Sequence, residues 1–186
     1  PFSFYKDVDM PYNYFWDYFY VPMLKQAEQL YSSLYKHKIS QYIFMHNTAS
    51  TGDVFTVESM ERKFNFDKQK YLVINPCKTV YKEGDAFYEL SKTFVGHPLL
   101  HYKKIIMNAS KVLVSDSSFM CMSINLEINT HECYIFARAY GHGQKDLSCG
   151  ATHMGLKNSH IWTSKYIFGG HLKRQKFKEI VMKTYQ

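Results

Sequence analysis

Three short apolar runs, each stopped by polar residues, constrain the fold of this chain more than any other feature. They are Gln41-Tyr42-Ile43-Phe44-Met45-His46, Tyr71-Leu72-Val73-Ile74 and Val112-Leu113-Val114. All are too short for helices and rich in β-branched or aromatic residues. None alternates apolar with polar positions, which is the pattern of a strand buried on both faces in a parallel sheet. Cys133-Tyr134-Ile135-Phe136-Ala137, ending at Arg138, reads as a fourth strand. Helical patterns separate them. Pro22 opens a helix with Met23, Ala27, Leu30, Tyr31 and Leu34 on one face. Asp85 is placed to cap a helix carrying Phe87, Leu90, Phe94 and Val95, and residues 101–110 read as a further helix. Asp116 or Ser117 is placed to cap the run Phe119, Met120, Met122, Ile124 and Leu126. The segment between the first two strands is mixed. Strands alternating with helices predict an α/β fold: a Rossmann-like, mostly parallel sheet with helices on both faces.

In such a sheet, ligands bind outside the carboxyl ends of the strands, where a helix N-terminus offers unbonded N–H groups to a phosphate. The polar residues at those positions are His46-Asn47-Thr48, Asn75, Asp116-Ser117-Ser118 with Phe119 behind them, and Arg138. Four strands presenting polar groups on one rim argue for a site better than any one of them. The plainer reading stands beside it: serines cap helices, and a histidine at a strand end bonds a backbone carbonyl.

Composition bounds the rest. At 186 residues, 46% hydrophobic and 21% charged, the chain suits one globular domain. No apolar run reaches the roughly 20 residues that span a bilayer, and no signal peptide is visible, although the missing initiator Met allows a trimmed one. Cys77, Cys121, Cys133 and Cys149 form no C-x-x-C pair, which argues against a zinc ribbon and for reduced thiols in an intracellular protein. Cys121 and Cys133 read as small core residues. His97 and His101 have helical spacing, but Pro98 breaks the helix such a metal pair needs; no metal is expected.

The two ends differ in charge and character. The first twenty residues hold ten aromatics, an N-terminal arm expected to strap across the domain or to cover a surface left for a partner lobe. The C-terminal segment carries Lys165, Lys173, Arg174, Lys176, Lys178 and Lys183 against Glu179. It reads chiefly as the solvated face of a terminal helix, with nucleic-acid binding the lesser alternative. The division expected is an arm over 1–22 and one Rossmann-like domain over 23–186.

The stretches Tyr42-Ile43-Phe44-Met45-His46-Asn47, Leu72-Val73-Ile74-Asn75-Pro76, Pro98-Leu99-Leu100-His101-Tyr102 and Val114-Ser115-Asp116-Ser117-Ser118-Phe119 follow in that order. Together they resemble the nucleotide-sugar-binding half of GT-B-type glycosyltransferases, over about residues 40 to 138. The nearest pattern is that of the glycosyltransferase-like proteins of giant DNA viruses and some bacteria, with fucosyltransferase-like enzymes further off. The resemblance implies a single GT-B-type lobe, a nucleotide-sugar as substrate, no metal or other cofactor, a glycan or protein acceptor, and a location in the cytoplasm or a viral factory. It implies that His46, Asn47 and Thr48 face the donor sugar and phosphate, with His46 as base. Asn75 would line the nucleotide, and Asp116, Ser117, Ser118 and Phe119 would present the diphosphate site.

Two departures stand out. The fucosyltransferase-like pattern has an arginine shortly after that histidine, and Thr48 to Asp53 contains none; Lys78, Lys82 or Arg138 would have to replace it. GT-B enzymes also have two facing lobes, so a second lobe or a partner chain would complete this one. The alternative function is a non-catalytic nucleotide- or glycan-binding module of the same fold, with a nucleic-acid-associated protein ranked last.

Overall fold

The computed structural model describes residues 20–48, 54–115, 117–123, 125–130, 132–139 and 161–167. Within them the elements are α1 (Lys25–Lys36), β1 (Tyr42–His46), α2 (Val57–Phe64), β2 (Leu72–Ile74), α3 (Tyr88–Lys92), a 3-10 turn (Leu99–Tyr102), α4 (Lys103–Asn108), β3 (Lys111–Ser115), α5 (Ser118–Ser123), β4 (Cys133–Ala139) and β5 (Ile161–Ile167). The strands form one sheet in the order β2-β1-β3-β4-β5. β2, β1, β3 and β4 run parallel, and β5 adds an antiparallel edge. This is the expected α/β, Rossmann-like, mostly parallel sheet.

Helices cover both faces, and strand parity shows which. Successive side chains on a strand point to opposite faces. Tyr42 donates its hydroxyl to the Ile105 carbonyl of α4 at 2.8 Å, and Phe44 packs on Tyr102 and Phe119. The even positions of β1 therefore face α4, the 3-10 turn and α5. Met45 faces the other way, in register with Leu113 and through it with Tyr134. There Phe64 of α2 stacks on Tyr134 with ring centroids 4.6 Å apart. All five residues of β1 are buried, and Phe44 and Met45 are wholly so. Each such side chain contributes roughly 1.5–3 kcal/mol by leaving water. That burial explains why these runs do not alternate.

The outer edge of β2 is closed by a side chain. The Tyr81 phenol accepts from the Val73 N–H at 2.7 Å and donates to the Tyr71 carbonyl at 2.8 Å. It occupies the position a further strand would take, which protects an exposed edge. Burial pushes its hydroxyl pKa well up, so the phenol stays a donor.

Several local expectations are corrected. Asp85 does not cap α3; its carboxylate accepts from the Lys82 N–H at 2.8 Å and closes the turn before the helix. Cys121 is exposed, whereas Cys133 is buried as expected: a six-residue helix has one covered side, and Cys121 is off it. The mixed connection contains α2, whose Thr56 hydroxyl accepts from the Ser59 N–H at its N-cap and whose Met60 and Phe64 are buried. β5 was not foreseen, although Ile161-Trp162-Thr163 and Tyr166-Ile167 are β-forming residues. The aromatic segment 1–19, the residues 140–160 and the basic end from 168 lie outside the described residues. Tyr20 and Val21 sit against α4, where Lys103 lies over the Tyr20 ring and donates to the Val21 carbonyl.

Candidate functional site

β1 and β3 are neighbours, but their outgoing connections leave to opposite faces. β1 continues to α2, on the face of Met45 and Tyr134. β3 continues to α5, whose Phe119 packs on the other face. A pair of parallel strands diverging in this way makes a topological switch point, the usual place for a ligand in an open α/β sheet. His46 ends β1 and Ser115 ends β3, so both lie at the carboxyl rim of that crevice.

His46 is 7% exposed and its ring stacks on Phe119 at 4.6 Å between centroids. Two hydroxyls converge on its Nδ1: Ser117 Oγ at 3.1 Å and Ser115 Oγ at 3.3 Å. Ser115 donates to the Thr48 carbonyl at 2.6 Å, and Ser117 to the Ser115 carbonyl at 3.1 Å. Removal from water pulls the imidazole pKa down from 6.5 to about 4, because burial disfavours the charged form. The ring is neutral at pH 7.

The next residue has a different fate. Asn47 donates from Nδ2 to the Phe55 carbonyl and accepts on Oδ1 from Asn75 Nδ2 at 2.7 Å. Asn75 in turn accepts from the Cys77 N–H at 2.9 Å. The Phe55 N–H returns to the Asn47 carbonyl at 2.9 Å, and Thr48 bridges Val54. Both asparagines are 2% exposed. Their amides tie the ends of β1 and β2 to the chain that leaves them.

The sequence-selected residues therefore divide. His46, Asn47, Asn75 and Ser117 come together at the rim, with the Thr48 carbonyl beside them. Ser117 precedes α5, but its hydroxyl turns back to His46 and Ser115 rather than onto the helix N–H groups. Ser118 is exposed, and no described residue bonds its hydroxyl. Phe119 is 8% exposed and serves as the floor under His46. Arg138 lies in β4 opposite Trp162 of β5. Asp116 is outside the described residues. Lys78 and Lys82 are exposed in the segment after β2.

Sequence reasoning did not single out Ser115. Its position as the last residue of a β-branched strand was the available signal, since a hydroxyl there reaches the end of the neighbouring strand. Elsewhere, the His97 and His101 rings lie 6.2 Å apart, with His97 Nε2 donating to the Thr93 carbonyl at 2.9 Å. Among the described residues no group of three His, Cys, Asp or Glu side chains is placed to hold a metal, and no helix is long and apolar enough to cross a membrane. Comparison with protein-family models, curated proteins and solved structures finds no match.

Proposed function

We infer that the chain binds a nucleoside-diphosphate sugar across this rim, and that it is a glycosyltransferase or the donor-binding lobe of one. The observation that carries this reading is the buried, neutral His46 at the β1/β3 switch point, flanked by serine hydroxyls at the start of α5. The diphosphate would meet the exposed Ser118 hydroxyl and the rim around it. Lys78 and Lys82, exposed in the segment after β2, are the cations that would balance its charge. The acceptor would be a hydroxyl of a glycan or protein. A base with a pKa near 4 is weak for that hydroxyl, but a diphosphate bound close by favours the imidazolium and raises the pKa toward neutrality.

A second reading is a module that holds the nucleotide without turnover. It is favoured by the amides of Asn47 and Asn75, which are spent on one another and on the main chain, and by the lack of an arginine between Thr48 and Asp53.

The test is a thermal-shift panel with UDP, GDP, CDP, ADP and their sugar conjugates. A ligand that binds only the folded state raises Tm, by about 2.7 kcal/mol of added stability at a hundred times its Kd. The expected result is a shift with one nucleotide, reduced in Ser118→Ala. No shift with any of them removes both readings. A shift without release of diphosphate from the sugar conjugate leaves the module.

A further inference from the structure

We propose that Ser115 and Ser117 are positioning residues that hold His46 as its Nδ1–H tautomer, leaving Nε2 as the nitrogen that accepts a proton. The argument is a count of protons. A serine hydroxyl has one to give. That of Ser115 goes to the Thr48 carbonyl at 2.6 Å, and that of Ser117 goes to the Ser115 carbonyl at 3.1 Å. What each oxygen turns toward Nδ1 is then a lone pair, at 3.3 and 3.1 Å. Were Nδ1 bare, the fully buried Ser115 Oγ would oppose it lone pair to lone pair. With a proton on Nδ1, one ring N–H serves both oxygens and every donor in the cluster is used. The stack on Phe119 holds the ring plane. In a neutral imidazole the other nitrogen is then unprotonated, and no described residue bonds it.

The base role rests on the nucleotide-sugar reading; the tautomer does not. In the transfer, Nε2 takes the proton of the acceptor hydroxyl while its oxygen bonds to the anomeric carbon. The bond from that carbon to the diphosphate breaks, and the diphosphate leaves with the electron pair. Ser117 thereby acts on the chemistry through His46 rather than by touching the phosphate.

The full chain labelled with nitrogen-15 gives a direct readout, because two-bond proton–nitrogen spectra distinguish a protonated from a bare ring nitrogen. His46 is assigned by the signal lost in His46→Gln. At neutral pH the expected pattern is a protonated Nδ1 and a bare Nε2. The Ser115→Ala/Ser117→Ala double variant should lose that pattern, whereas Ser117→Thr, which keeps the hydroxyl, should retain it. If the double variant does not fold, Ser115→Ala alone reads the same signature, because Ser117 Oγ, at 3.1 Å from Nδ1, can then turn its proton to a bare nitrogen. A protonated Nε2 in the wild type, or an unchanged pattern in the serine-to-alanine variants, overturns the proposal without any ligand being involved. With the nucleotide sugar selected by the thermal-shift panel, Ser117→Ala should lower kcat for diphosphate release roughly tenfold with donor KM unchanged. A raised KM at constant kcat would instead make Ser117 a phosphate contact and overturn its positioning role.

Discussion

His46 and Asn47 are adjacent in sequence, and both are buried at the same rim, yet they belong to different kinds of structure. The Asn47–Asn75 pair closes on itself: its side-chain bonds among the described residues run between the two amides or to main-chain groups of Phe55 and Cys77. The His46 cluster stays open, because Ser115 and Ser117 gather on one ring nitrogen and no described residue bonds the other. Burial alone does not mark a functional group. A buried polar group whose bonds are all made is scaffolding; one with a lone pair left over is where chemistry can begin.

The largest effect that would break this comparison is on stability. Asn47→Ala takes the Asn47 oxygen away from the buried Asn75 amide, at about 1–3 kcal/mol for a buried group left unpaired, and removes the bond to the Phe55 carbonyl, at about 1 kcal/mol. Chemical denaturation should therefore show a loss of about 2–4 kcal/mol, against less than half that for His46→Gln at neutral pH. Equal losses would mean that the two clusters are scaffolding alike.

The next effect sharpens the open cluster through its proton. The folded-state pKa of His46, about 4, lies below its ordinary 6.5. As pH falls below 6.5 the unfolded chain takes up a proton that the folded chain refuses, so stability drops until the folded pKa is passed. Between about pH 7 and pH 5 the wild type should lose roughly 2 kcal/mol more than His46→Gln. A parallel decline in both proteins would mean that the ring is not held neutral. The reference variant matters because carboxylates titrate in part of the same window.

The smallest stability effect belongs to Ser118. Its exposed hydroxyl has no bond to a described residue to lose, so Ser118→Ala should change stability by less than about 0.5 kcal/mol. If it contacts a phosphate, the same variant weakens nucleotide binding several-fold, read from the concentration dependence of the thermal shift. A large loss of stability would place Ser118 with the asparagines.

Much of this was legible from local pattern. The runs at Tyr42, Leu72 and Val112 announced strands buried on both faces, because only a covered parallel sheet takes strands without a polar side. Their polar terminators placed His46, Asn75 and the serines at one rim. α2 could have been read from Thr56, Met60 and Phe64, a capped i, i+4 pattern in a segment whose polar residues obscured it. The orientation of Ser117 was not legible. A serine before a helix has the same sequence whether it caps the helix or turns back, and the choice lies with a histidine seventy-one residues away.

What the sequence by itself determined is the class of fold and the rim on which polar groups collect, since both follow from periodicity and from where apolar runs stop. Only the tertiary structure decided the strand order that sets β1 beside β3. That order brings two hydroxyls to one nitrogen and ties Asn47 to Asn75. Hydrogen bonds act over about 3 Å, and which groups come that close depends on how distant segments are brought together.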